Sequence, residues 1–215
     1  MNVKLTLALT AVMASAMACA TGTRARPLAG VATEAAVALP LFELPDGHRR
    51  IAFKWELNDN ALIFRGDGLA RLAAPDSARV DLVMGGLFGG GASVTLIGDS
   101  TRVPPNATMT HLIPSAPLLW ATFGRLAIPA LPDTVIRMSG DTLRADIGSP
   151  AQWRVTAVNR ALLRLERISD GRIVESVDRT PGKPVRYESA NRRTLIMTLV
   201  RDDSIPGFDR AIWTY

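Results

Sequence analysis

Between residues 50 and 57 apolar and polar side chains alternate: Ile51, Phe53, Trp55 and Leu57 fall on one face, Arg50, Lys54 and Glu56 on the other. Successive side chains of an extended chain point to opposite sides, so this period of two predicts a strand with one buried and one wet face. Asn58-Asp59-Asn60 supplies turn residues, and 61–72 reads as a second long strand. Gly66, Gly68 and Ala70 share one of its faces, Arg65, Asp67 and Arg71 the other. Glycines at alternate positions predict a bend, a bulge or a close approach in a curved sheet. Ala74-Pro75-Asp76-Ser77 turns the chain again, and 78–84 returns with Ala78, Val80, Leu82 and Met84 inward. A fourth strand at 92–97 follows a glycine-rich connection and ends at Gly98-Asp99. Strands joined by short turns make an antiparallel meander.

The period changes once in the second half. Leu119, Phe123 and Leu126 lie on one stripe of a helix predicted at 118–126, and Leu118, Trp120, Ala127 and Ile128 widen it to most of the circumference. Ser115 can cap such a helix and Pro117 suits its first turn. A helix so apolar must be covered by something. Period-two segments resume at 134–138, 143–147, 152–158, 162–168, 172–177, 185–188 and 193–200, with Ser169-Asp170-Gly171 as a hairpin turn. About ten strands and one principal helix predict a helix packed on or into a strongly curved antiparallel sheet. Inward positions include Ile51, Phe53, Trp55, Phe64, Val80, Leu82, Val94 and Leu96; whether Trp120 and Phe123 fill the space they enclose is open at this stage.

The N-terminus follows neither period. Met1-Asn2-Val3-Lys4 is a short basic start, and 5–17 is an apolar run leading to Ala16-Met17-Ala18-Cys19. That layout predicts a secretory signal, and the run is shorter than the roughly 20 residues a span requires. Small residues before a cysteine resemble a bacterial lipobox, with Ala16 where leucine is usual. Acylation would make Cys19 the new N-terminus and a membrane anchor rather than a ligand or nucleophile. Ordinary signal cleavage after Ala18 or Ala20, or a cytoplasmic chain with an apolar start, are the other readings. Cys19 is the single cysteine, so no intramolecular disulfide can form. The chain thus divides into a lipoprotein signal peptide at 1–18, a lipidated N-terminus and linker at 19–48, and one domain at 49–215. Residues 20–38 suit a flexible spacer with a helical turn or two at 33–39, and order is expected from near Arg49.

Charge adds little beyond this. The formal net charge is +5, and Lys4, Lys54 and Lys183 are the only lysines among 25 basic residues. The arginines alternate with Asp and Glu along strands, which describes a solvated sheet face and not a nucleic-acid patch. A mildly positive surface still favours anionic lipid.

Catalytic patterns are missing. His48 and His111 form no HExxH or other metal-ligand spacing, and no serine sits in a GxSxG elbow. Acids such as Asp76, Asp81, Asp99, Asp141 and Asp170 mostly lie in or beside predicted turns, where carboxylates accept from the backbone. No enzyme activity, metal or cofactor is expected. Gly85-Gly86-Leu87-Phe88-Gly89-Gly90-Gly91 places two large apolar residues among five glycines. They either fold back and pack or contact lipid; a phosphate cradle would need a lysine, a hydroxyl and a following helix.

Taken in order, the lipobox, the linker, a strand with a tryptophan, then Phe64-Arg65-Gly66-Asp67-Gly68-Leu69-Ala70-Arg71-Leu72 and Pro75-Asp76-Ser77-Ala78-Arg79-Val80-Asp81 resemble the LolA/LolB-like lipoprotein-carrier superfamily over about residues 49–200. The resemblance implies a mainly β fold, an incomplete antiparallel β-barrel around an apolar helical lid, with a cavity for acyl chains. Gly68, Pro75, Arg79 and Asp81 occupy the places of the family's hairpin, Leu87 and Phe88 those of its protruding hydrophobic loop, and 118–126 that of its lid. Residues 206–215 have no counterpart. Phe53, Trp55, Phe64, Leu82, Leu96, Leu119, Trp120 and Phe123 are then the expected cavity and lid residues. The implied function is a lipoprotein anchored at the periplasmic face of the outer membrane, binding acyl chains of lipids or lipoproteins for envelope trafficking. Its expected partners are the membrane, an acyl or lipoprotein ligand and an envelope protein, with no nucleic acid. The alternative is a non-enzymatic envelope scaffold, which a fully packed interior would favour. A hydrolase would need His48 or His111 to meet a nucleophile and an acid in space.

Overall fold

A computed structural model describes residues 22–32, 39, 42–85, 90–105 and 113–214. Among these the elements are β1 (Thr23–Arg24), β2 (Val31–Ala32), β3 (His48–Asp59), β4 (Leu62–Ala73), β5 (Ser77–Met84), β6 (Gly91–Ile97), β7 (Ser100–Arg102), α1 (Ala116–Thr122), β8 (Thr134–Ser139), β9 (Thr142–Ile147), β10 (Trp153–Val158), β11 (Ala161–Ser169), β12 (Arg172–Asp178), β13 (Val185–Ser189) and β14 (Arg193–Ile205), with a closing 3₁₀ turn at Arg210–Trp213. The strands form one sheet in the order β2-β8-β9-β10-β11-β12-β13-β14-β3-β4-β5-β6-β7, with β1 beside β12. Two meanders, β3 to β7 and β8 to β14, are thus spliced where β14 pairs with β3 along its whole length, from Arg193↔Asp59 to Ile205↔His48. The outer strands β2 and β7 do not meet, so the sheet wraps into an incomplete antiparallel barrel with α1 against its inner face.

The eleven strands expected from alternation all form, most of them within a residue or two of the expected bounds. The helix is shorter than 118–126. It stops at Thr122 because Phe123 caps it and Gly124 follows with φ +91°, a backbone angle that ends helices. Order also begins earlier than Arg49. β13 covers β12 only as far as Ser189↔Glu175, and Thr23–Arg24 fills the vacant edge at Arg172–Ile173, while Val31–Ala32 extends β8. Backbone donors left at a sheet edge attract such partners. Phe42 and Leu44 are buried, and Leu126 N donates to Phe42 O at 2.9 Å. The signal segment 1–18, Cys19, the turns expected at 33–38, Leu87, Phe88 and His111 lie outside the described residues. No helix among the described residues is long and apolar enough to cross a membrane.

The alternate glycines of β4 mark a close approach. Phe53 pairs with Gly68 and Trp55 with Gly66; a Cβ on Gly68 would lie 2.2 Å from the Phe53 ring, and one on Gly66 1.8 Å from the backbone oxygen of Val83 and 3.0 Å from Trp55. The two rings lie over the glycines, and Trp55 Nε1 donates to Asp67 O at 3.1 Å. On the other wall Trp120 is fully buried, its Nε1 donating to Gly98 O at 2.8 Å and its ring stacked by Arg125 at 4.6 Å. The C-terminus of α1 is held by Arg179, whose Nε donates to Thr122 O at 3.2 Å and Nη1 to Leu162 O at 3.1 Å. Burial lowers the pKa of this guanidinium, with a smaller push from Arg49, yet arginine keeps its charge and suits the negative end of a helix.

Outward faces carry the arginine and acid ladders. Arg154 grips Asp146 through two bonds of 2.6 and 2.9 Å, and Asp81 is held by Arg71, Arg79 and Ser93. Arg79 Nη1 also donates to Ile212 O at 2.9 Å, tying the C-terminal turn to β5. Phe208 links this tail to His48 and Trp213 through edge-on ring contacts of 5.7 and 5.8 Å.

Candidate binding cavity

Period-two alternation sends one set of side chains from β3, β5, β6 and β14 to the inner face of the curved sheet, where α1 meets them. Between them lies a cavity of about 40 Å³ lined by Trp55 and Leu57 from β3, Val80, Leu82 and Met84 from β5, Ala92 and Val94 from β6, and Leu195 and Met197 from β14. Leu119 of α1 and Ile113-Pro114 ahead of it close the other side. Among the described residues no charged side chain lines it. A space this apolar stays dry, since water needs two to four polar partners.

Of the eight expected cavity and lid residues, Trp55, Leu82 and Leu119 line this space. Phe53, Leu96 and Trp120 are packed into the core, and Phe64 and Phe123 rest half-buried against it. Gly66 and Gly68 make room for the rings of Trp55 and Phe53, whereas Ala92 does border the cavity. Met84 lines it as its inward place on β5 implied, whereas Met197, Leu195 and Ile113 escaped the sequence reading. Leu195 and Met197 alternate within a segment read as a strand, so their inward direction was legible, but not that β14 would lie beside β3.

Larger concavities open on the outer face. One of about 400 Å³ runs past Gly22, Arg164, Glu175, Glu188 and Arg192; Arg164 pairs with Glu166 at 3.0 Å, Arg167 with Glu175 at 2.5 Å and Arg186 with Glu188 at 2.6 Å. Tyr187 donates to the same Glu175 at 2.6 Å; burial first, then this carboxylate, push its hydroxyl pKa up. Among the described residues no group of three His, Cys, Asp or Glu side chains is placed to hold a metal ion.

No protein-family model matches this chain, and no curated protein matches it. Among solved structures it is similar to a DUF1329 family protein from Desulfovibrio piger, at TM-score 0.48 and 10% identity over 79% of this chain and 90% of that one. It is also similar to a LolA superfamily protein from Nitrosomonas europaea, at TM-score 0.47 and 12% identity over 81% of this chain and 93% of that one.

Proposed function

We propose that this chain is a lipoprotein, anchored through Cys19 at the periplasmic face of the outer membrane, that binds acyl chains of lipids or lipoproteins for envelope trafficking. The observation that supports it is the apolar cavity between α1 and the sheet. Each methylene buried there gains about 0.8 kcal/mol over water. The space of about 40 Å³ holds only the start of a chain, so binding requires α1 to give way. Its C-terminal end is tied by Arg179 and Trp120, while Ser115 at its N-terminus makes no side-chain cap. Entry therefore proceeds from the Ile113-Pro114 side, with Met84 and Met197 adapting through their flexible side chains. No bond changes in this scheme. Leu87 and Phe88 make the contact with the membrane or the incoming chain.

A non-enzymatic scaffold that binds another envelope protein is the second reading, favoured by the tight seating of Leu118 and Trp120, both fully buried. Native mass spectrometry of the processed chain, purified gently from a cell envelope, separates the two. The carrier reading expects an acyl-containing mass that is lost on denaturation, and its loss in Ala92→Leu, which fills the cavity. An empty protein that also takes up no added lipid transfers the case to the scaffold. Replacing Leu87 and Phe88 together by serine is expected to slow lipid transfer with stability unchanged; transfer at the normal rate removes that loop from the mechanism.

A further inference from the structure

The turns of the barrel fall at two ends, and one end gathers features that point to a bilayer. β1 pins the chain at Thr23–Arg24 against Arg172–Ile173, Arg172 Nη1 donates to Gly22 O at 2.8 Å, and Ala190 N donates to Val174 O alongside. Gly22 thus sits beside the β13–β14 turn, where Arg193 pairs with Asp59 and brings the β3–β4 turn next to it. Cys19 lies three positions before Gly22, a reach of about 10 Å at full extension. An acyl group on Cys19 is therefore confined to this end. Here too are Leu62 and Ile63, 64% and 52% exposed, and Val83, 59% exposed. Arg24, Arg172 and Arg192 are exposed at the same end, with Asp133 ahead of β8 and Asp170 at the β11–β12 turn as exposed opposing charges.

We infer that the domain docks end-on, with this end seated on an anionic bilayer surface: Leu62, Ile63 and Val83 enter the interface, the arginines face headgroups, and the barrel stands away from the membrane. The inference rests on the acylation of Cys19 proposed above. It follows the general need for a second signal beside an acyl anchor to fix a protein on a membrane.

The test uses the full acylated chain in vesicles of phosphatidylethanolamine with a minority of phosphatidylglycerol, carrying a fluorophore on Asn191→Cys or, at the opposite end, Asp141→Cys. Quenching by headgroup-attached nitroxide is expected to be several-fold stronger at 191 than at 141. Leu62→Ser with Ile63→Ser, both at exposed positions, should cut the quenching at 191 about twofold while leaving the melting temperature unchanged. Equal quenching at the two ends, stronger quenching at 141, or no change in the double variant overturns the inference, as does an intact mass showing Cys19 without an acyl group. Ligand mass in the same sample decides acyl binding separately, so failure of either reading is distinguishable from failure of the other.

Discussion

Phe53 and Gly68 share one place in the sheet: the ring lies where a side chain on the partner strand would be. Gly68→Ala drives a methyl to 2.2 Å from that ring, and overpacking of this kind costs about 1–3 kcal/mol. Phe53→Ala leaves a void at a cost of about 3–5 kcal/mol. Urea denaturation of the double variant is expected to show less than the sum, because the added methyl then meets no ring. Asp81 makes a different residue-scale prediction. Burial pushes its carboxyl pKa up, but hydrogen bonds from Ser93, Arg79 and Arg71 outweigh burial and hold it below the ordinary 3.8. A carboxylate with a depressed folded pKa stabilises fully above its unfolded value and loses that contribution as pH falls through the folded one. Acid titration of the urea midpoint is therefore expected to fall below pH 3.8 in the native chain, and Asp81→Asn, weaker at neutral pH, to be flatter across that window.

α1 shows at the scale of elements what a large side chain does when it closes a barrel. Trp120→Ala removes a fully buried indole and is expected to cost about 3–5 kcal/mol, measured by denaturation. The strands were legible because β3 to β6 and β8 to β14 combine alternation with turn residues, a local pattern that needs no knowledge of the fold. The stop of α1 was legible too, in Gly124, but the apolar stripe running on to Ile128 hid it. β7 was not: Ser100, Thr101 and Arg102 are polar and exposed, and only the edge of β6 makes them a strand. The same holds for β1 and β2, recruited by edges that exist only once β12 and β8 are in place. Likewise, alternation tells that Phe53, Trp55, Leu82 and Leu96 point inward, but which of them borders a void depends on the summed volumes of elements far apart in sequence.

For the whole molecule the seam between β14 and β3 is decisive, because it joins the two meanders through contacts 134 residues apart at Arg193 and Asp59. Trp55 stands in one meander and Trp153 in the other, each in the same core. Unfolding followed at fluorescent reporters beside each is expected to give one midpoint, and Leu57→Ala, at the seam, to lower it equally at both reporters, at a stability cost of about 2–5 kcal/mol; separate midpoints would mean two folding units. The seam also sets an order of events in biogenesis. At roughly 5–20 residues per second of synthesis, β3 is complete for on the order of 10 s before its partner strand exists. Throughout that interval its Phe53 to Leu57 stretch presents an open edge, the template on which strands of other chains can assemble. The growing polypeptide needs shelter most in the interval between its first long strand and its last.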